Sequence, residues 1–162
     1  MTTTATPSYG ANVVMTITLA GLANSSTTGA GRQSTAANNV LDLADDALVS
    51  MKFMSGITTP NGTVFLYAYG AVDGSTYTAN AGATDAALTP APLSALKLLD
   101  SFASNTTAGV SYKIGPYSIA QAFGGTMPPQ WGVFVNHSLG TASNATSGNF
   151  QVQYVPVKYA SA

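Results

Sequence analysis

GGTMPPQWGVFVNHSLG, residues 124–140, is the stretch whose reading decides the fold. Its centre alternates Trp131, Val133, Val135 and His137 against Phe134 and Asn136. That period of two sends successive side chains to opposite faces of a strand. Gly124-Gly125 permits a tight turn, and Pro128-Pro129 enforces an extended entry. Trp131 then anchors the strand over a core, and Asn136–Gly140 is the exit turn. The stretch also holds the chain's only Trp and only His, so any histidine chemistry must be sited here.

The same period recurs outward from this segment. ANVVMTITLA sets Val13, Met15, Ile17 and Leu19 on one face, and LVSMKFM sets Val49, Met51 and Phe53 opposite Ser50 and Lys52. TVFLYAYGAV is apolar on both faces and reads as a central strand. Asp73-Gly74 after it is a hairpin-turn signal. VSYKIGPYSI alternates again. FQVQYVPVKY changes phase beside Pro156, where a bulge or an edge position is expected, because proline lacks the ladder donor. TPAPLSALKLLDSFA fits helix or strand; its strand-like surroundings favour a strand. IAQAFG suits one short helical turn. Seven or eight strands punctuated by Gly, Pro and Asn predict an all-β antiparallel sandwich with long loops, over residues 11–162 as a single domain. Residues 1–10 are expected to form a flexible arm. Residues 21–46 and 80–92 lack a regular pattern and are expected to be functional or ordered by a partner.

Composition narrows the function. Only 7% of the 162 residues are charged, against roughly 25% in an average soluble protein, and there is no Glu. The polar surface is therefore built from Thr, Ser, Asn and Gln, and such a surface favours association over repulsion. Arg32, Lys52, Lys97, Lys113 and Lys158 are dispersed along the chain, so nucleic-acid binding is not expected. The absence of cysteine excludes disulfides, thiolate nucleophiles and Cys-ligated zinc. MTTTATPSYG lacks the basic and apolar regions of a signal peptide. No apolar run approaches the roughly 20 residues of a membrane-spanning helix. Five N-x-S/T triplets, at Asn24, Asn61, Asn105, Asn136 and Asn144, are what an Asn/Ser/Thr-rich chain produces by chance.

Candidate chemistry is sparse. His137 is the sole conventional base, but no G-x-S-x-G elbow presents a serine to it. It reads as a strand-end His with a satisfied ring, and His137→Gln is expected to leave folding nearly unchanged. Asp42, Asp45 and Asp46 form the one acidic cluster, without the alternating ligands or the glycine of a calcium loop. They read as a turn before a strand, or as ion-pair partners of Arg32. Arg32, Asp45 and Asp46 are accordingly the candidate interface residues, with Arg32 anchored to its own Asp45 or Asp46 or to a carboxylate of a partner. No paired carboxylates flank a cleft, no glycine run makes a phosphate loop, and no cofactor or metal is implied. An enzyme is not expected.

SIAQAFGGTMPPQWGVFVNHSLG resembles a segment of virion structural proteins of tailed bacteriophages, with their A-F-G-G-x-x-P-P-x-W-G stretch followed by an apolar strand and an Asn-rich turn. GRQSTAANN, LDLADDALVSMKF, FLYAYGAVDGSTYT, LKLLDSF and YKIGPYSI extend the likeness, in order, over most of residues 30–160. The resemblance implies a jelly-roll sandwich of about eight strands acting as a capsid decoration (cement) protein, a homo-oligomer, often a trimer, on the major capsid protein. It implies a place on the capsid surface after assembly in the host cytoplasm, and no catalytic residues. The alternative is a receptor- or carbohydrate-binding module of a tail fibre or baseplate, with Tyr77, Tyr112 and Tyr117 stacking on sugars.

Overall fold

The computed structural model describes residues 5–25 and 29–161. One sheet contains β1 (Ala5–Tyr9), β2 (Val13–Met15), β5 (Asp46–Met54), β9 (Ser111–Ser118) and β11 (Gln151–Ser161). The other contains β3 (Gly31–Gln33), β4 (Ala37–Asn38), β6 (Thr63–Ala71), β7 (Ala86–Leu88), β8 (Lys97–Ala103) and β10 (Gln130–His137). Two helical turns, α1 (Asn39–Asp42) and α2 (Ile119–Ala122), join them. Sheet one runs β1-β11-β5-β9, with β2 also on β11; sheet two runs β7-β3-β10-β6-β8, with β4 on β10. Every strand pairing is antiparallel.

Eight principal strands, β2, β3, β5, β6, β8, β9, β10 and β11, carry the topology. Numbered one to eight along the chain, they stand in the order 1-8-3-6 in sheet one and 2-7-4-5 in sheet two. This is the double Greek key of a jelly roll. The alternating residues supply the layer between the sheets. Val49, Met51 and Phe53 of β5 and Val152 and Tyr154 of β11 face Val64 and Leu66 of β6 and Trp131, Val133 and Val135 of β10, all buried. Trp131 meets Tyr154 edge-on at 4.9 Å. Each large apolar side chain placed there contributes about 1.5–3 kcal/mol.

Sheet two is buried on its outer face as well. Residues 72–96 fold across it, so Phe134 and Tyr69 pack with Tyr77, Ala79, Leu88 and Leu96 in a second core. The Tyr69 hydroxyl donates to the Ser34 carbonyl at 2.6 Å, with the Gly82 carbonyl 3.0 Å away. That hydroxyl lies over Gly132, where any Cβ would strike the tyrosine ring. The irregular residues 80–92 are thus the cover of this core, with Gln33 bonded to Thr84 and Gly82. Residues 21–46 contribute β3, β4 and α1.

Several expectations meet their structures here. LKLLDSFA is strand β8, entered by a single 3-10 turn at Leu93–Ala95. IAQA is α2. The turn at Asp73-Gly74 leads back only to an isolated bridge, Ala71 to Tyr77, and not to a second full strand. Pro156 is neither bulged nor on an outer edge: β11 keeps register with β5 from Gln151 to Val157. Its carbonyl accepts from Gly10 at 2.8 Å, in the gap where β1 stops and β2 has not begun. The missing donor falls opposite that gap, so no ladder bond is lost. Of the arm expected over 1–10, residues 5–9 are β1, paired with Val157–Ser161 and exposed along their whole length; residues 1–4 lie outside the described residues.

Candidate functional site

His137 ends β10, and its ring is a core element. It is 1% exposed, Nε2 lies 2.9 Å from the Leu22 carbonyl, and the Leu139 amide donates to Nδ1 at 3.4 Å. Both nitrogens are satisfied by backbone, which fixes the neutral tautomer with its proton on Nε2. Burial lowers its pKa below the ordinary 6.5, against a smaller opposing effect of the Leu22 carbonyl. Phe53 packs edge-on at 5.9 Å. The satisfied ring matches the sequence reading. The expected neutrality of His137→Gln is corrected by the depth of burial: a glutamine must replace two hydrogen bonds and a packed ring.

The acidic residues are engaged one by one within the chain. Asp45 accepts from the Tyr159 amide at 2.6 Å. Asp46 accepts from the amides of Ala47 at 2.7 Å and Ala120 at 2.9 Å, and so helps to start α2. Asp42 receives the Tyr154 hydroxyl at 3.5 Å, and Asp100 receives that of Tyr117. Asp73 closes its turn on the amides of Ser75 and Thr76, which hold its carboxyl far below the usual range. Among the described residues, no group of three metal-ligating side chains comes together.

Arg32 does not reach Asp45 or Asp46, a correction to that pairing. Its Nε meets Asp85 Oδ1 at 2.5 Å, the one ion pair among the described residues. Thr18 donates to the same carboxylate through its hydroxyl, at 2.6 Å, and its amide, at 3.2 Å. Burial raises the Asp85 pKa, but the bonds from Arg32 and Thr18 outweigh it and leave it lowered. Pairing across β3 and β7, which are adjacent through Arg32 and Ala87, explains the choice: the ladder delivers Asp85 beside β3, while Asp45 stands at the end of β11.

The three tyrosines suggested for sugar stacking are packing residues. Tyr77 is buried against Tyr69 with its hydroxyl on Gln130. Tyr112 stacks on Phe102 at 4.8 Å and its hydroxyl serves Asn105. The Tyr117 hydroxyl donates to Asp100, and burial, then that carboxylate, push its pKa up to about 12.

What remains open is the outer face of sheet one. Among the described residues, no segment crosses it as residues 72–96 cross sheet two. Two adjoining grooves, of about 520 and 550 Å³, share Ser50, Gly115 and Gln153. The first presents Lys52, Lys113 and Gln151; the second presents Tyr9, Leu48, Pro116 and Val155. Gly115, at φ +99°, and the register shift between Val49 and Met51 bend β9 there. Lys52 and Lys113 are directly opposite in the β5–β9 ladder. No sequence pattern signals this pair, because the two lysines belong to distant strands that only the topology makes neighbours.

A second open feature is α1. Val40, Leu41 and Leu43 are 59%, 78% and 71% exposed, beside the exposed Asp42 and Asp45. Comparison of the chain with protein-family models, with curated proteins and with solved structures finds no match.

Proposed function

We propose that this chain is a non-enzymatic virion structural protein of a tailed bacteriophage, most specifically a capsid decoration protein that stabilises the head shell. One observation carries the reading: an eight-strand jelly roll, an architecture used by viral capsid domains, in the same chain as the A-F-G-G-T-M-P-P-Q-W-G run of residues 122–132. The fold alone does not specify function. Surface chemistry adds to it. The open face of sheet one and the exposed α1 turn both present apolar groups beside a few charges, as suits burial against copies of itself and the major capsid protein. On this reading the protein needs no cofactor, binds neither nucleic acid nor membrane, and resides on the capsid surface after assembly in the host cytoplasm. Of the three tyrosines that favoured a glycan-binding tail module, Tyr77 is buried, and Tyr112 and Tyr117 are half-buried with their hydroxyls bonded within the chain.

The test adds the purified protein to shells that lack it. Saturable binding that raises the shell's melting temperature is expected. Absence of binding at micromolar protein, with the protein folded, contradicts the reading.

A further inference from the structure

The open groove of sheet one and the α1 turn are complementary in kind. The groove is cationic at one end, through Lys52 and Lys113, and apolar at the other, through Leu48, Pro116 and Val155. The turn offers three outward apolar side chains and two carboxylates, Asp42 and Asp45. We propose that a second copy of this chain docks its α1 turn into this groove, with Leu41 and Leu43 against Leu48, Pro116 and Val155, and Asp42 and Asp45 toward Lys52 and Lys113. This deepens the self-association in the proposed function and rests on that reading.

Three observations support that occupant. The lysines face each other across the ladder without a carboxylate in ion-pair range among the described residues. Lys52 donates only to the Gly148 carbonyl, at 3.1 Å. Like charges placed directly opposite destabilise a sheet, and two arriving carboxylates reverse that sign. Among the described residues, Asp46 is the carboxylate of the outward-facing set on β5, and it is already held by Ala47 and Ala120.

The turn, in addition, is built rigid. Asn38 caps it by accepting from Val40 at 3.1 Å. Asn39 holds both polar groups of Ala44, accepting from its amide at 2.9 Å and donating to its carbonyl at 3.1 Å. Leu43 is kept at φ +48°, ψ +43° by the hydrogen bond its N–H donates to the Asn39 carbonyl. A left-handed leucine is strained by its Cβ, where glycine is not. A strained, preorganised turn that holds leucines out in water is suited to association, since little ordering remains to be done on contact.

The two patches differ, so the contact is heterologous: each copy gives its turn to one neighbour and its groove to another. Light scattering with mixed variants reads this directly. At 10 μM the native chain is expected as a multiple of 16.4 kDa. L41S/L43G, which relaxes the backbone at residue 43 and so keeps the fold, is expected as the single chain. K52E/K113E is expected likewise, and K113S, which lifts the lysine repulsion, weakens association without lowering the melting temperature. An equimolar mixture of L41S/L43G with K52E/K113E retains one good turn and one good groove, and is expected to stop at two chains. A native single chain at 10 μM, variants that keep the native mass, or a mixture with no two-chain species each overturn the proposal. Shell binding by a native single chain leaves the decoration reading standing while the docking fails.

Discussion

At the scale of the residue, His137 shows how a chemically suggestive side chain becomes scaffold. A lone His next to Asn136 and Ser138 carries no information about depth, and depth decides its role: the jelly roll puts the end of β10 under residues 22–25 and against Phe53. The sequence revealed its face through period two, but not the two backbone partners, which come from segments far along the chain. His137→Gln is expected to destabilise by about 1–3 kcal/mol, the range for a broken buried hydrogen bond. A pH signature accompanies it. The folded pKa lies below 6.5, so below that pH the unfolded chain binds a proton that the folded chain refuses. Stability is therefore full above about pH 7 and declines as pH falls through 6.5, by at most about 1.4 kcal/mol per unit. Denaturant titrations from pH 7.5 to 5 should show a shallower slope for the glutamine variant; an unchanged slope assigns the titration to another group. Gly132 is the second such residue. Only hydrogen fits under the Tyr69 ring, so Gly132→Ala displaces that ring and its bond to Ser34. A loss of about 1–3 kcal/mol is expected from overpacking, measured by thermal melting; an unchanged melting temperature refutes the assigned contact.

Alternation located most of the long strands, but ANVVMTITLA alternates as strictly and is a strand only at Val13–Met15, with residues 16–20 outside any strand. β5, β6, β8, β9, β10 and β11 all coincide with segments read as strands from the sequence. The misreadings have a common physical cause, which is cover supplied by distant chain. Phe134 and Asn136 look like a second, outer face of β10, and residues 80–92 look like a loop that is functional or ordered by a partner; each explains the other once the loop lies on the sheet. Pro156 looked disruptive because its sequence neighbours say nothing of the gap between β1 and β2. The sequence points Arg32 to Asp45, Asp46 or a partner's carboxylate, whereas the β3–β7 ladder supplies Asp85. β1 is the element whose contribution is most separable. It pairs with β11 but buries none of its five residues, and a two-stranded ribbon is only marginally stable alone. Removing residues 2–9 should shift the melting temperature by no more than about 4 °C, about 1 kcal/mol for a domain of this size. The same deletion should weaken binding to bare shells. Unchanged shell affinity removes β1 from the attachment surface.

On the scale of the whole molecule, the charges divide unevenly. Each acid is engaged by an amide, a tyrosine or Arg32, while Lys97, Lys113 and Lys158 stand in solvent. Sheet two is closed on both faces and sheet one on one, so the molecule has a finished side and an open side. The sandwich class could be read from the sequence because it follows from local alternation, whereas the short strands β3, β4 and β7 could not. The pairing order, the second core and the groove could not, because each is created by contacts between segments far apart in the chain. On the proposed reading the chain is a shell component, whose distinguishing property is abundance. Quantifying this chain against the major capsid protein in purified particles is the most direct measurement. Hundreds of copies per particle are expected; a few to dozens, or none, contradict a place on the shell.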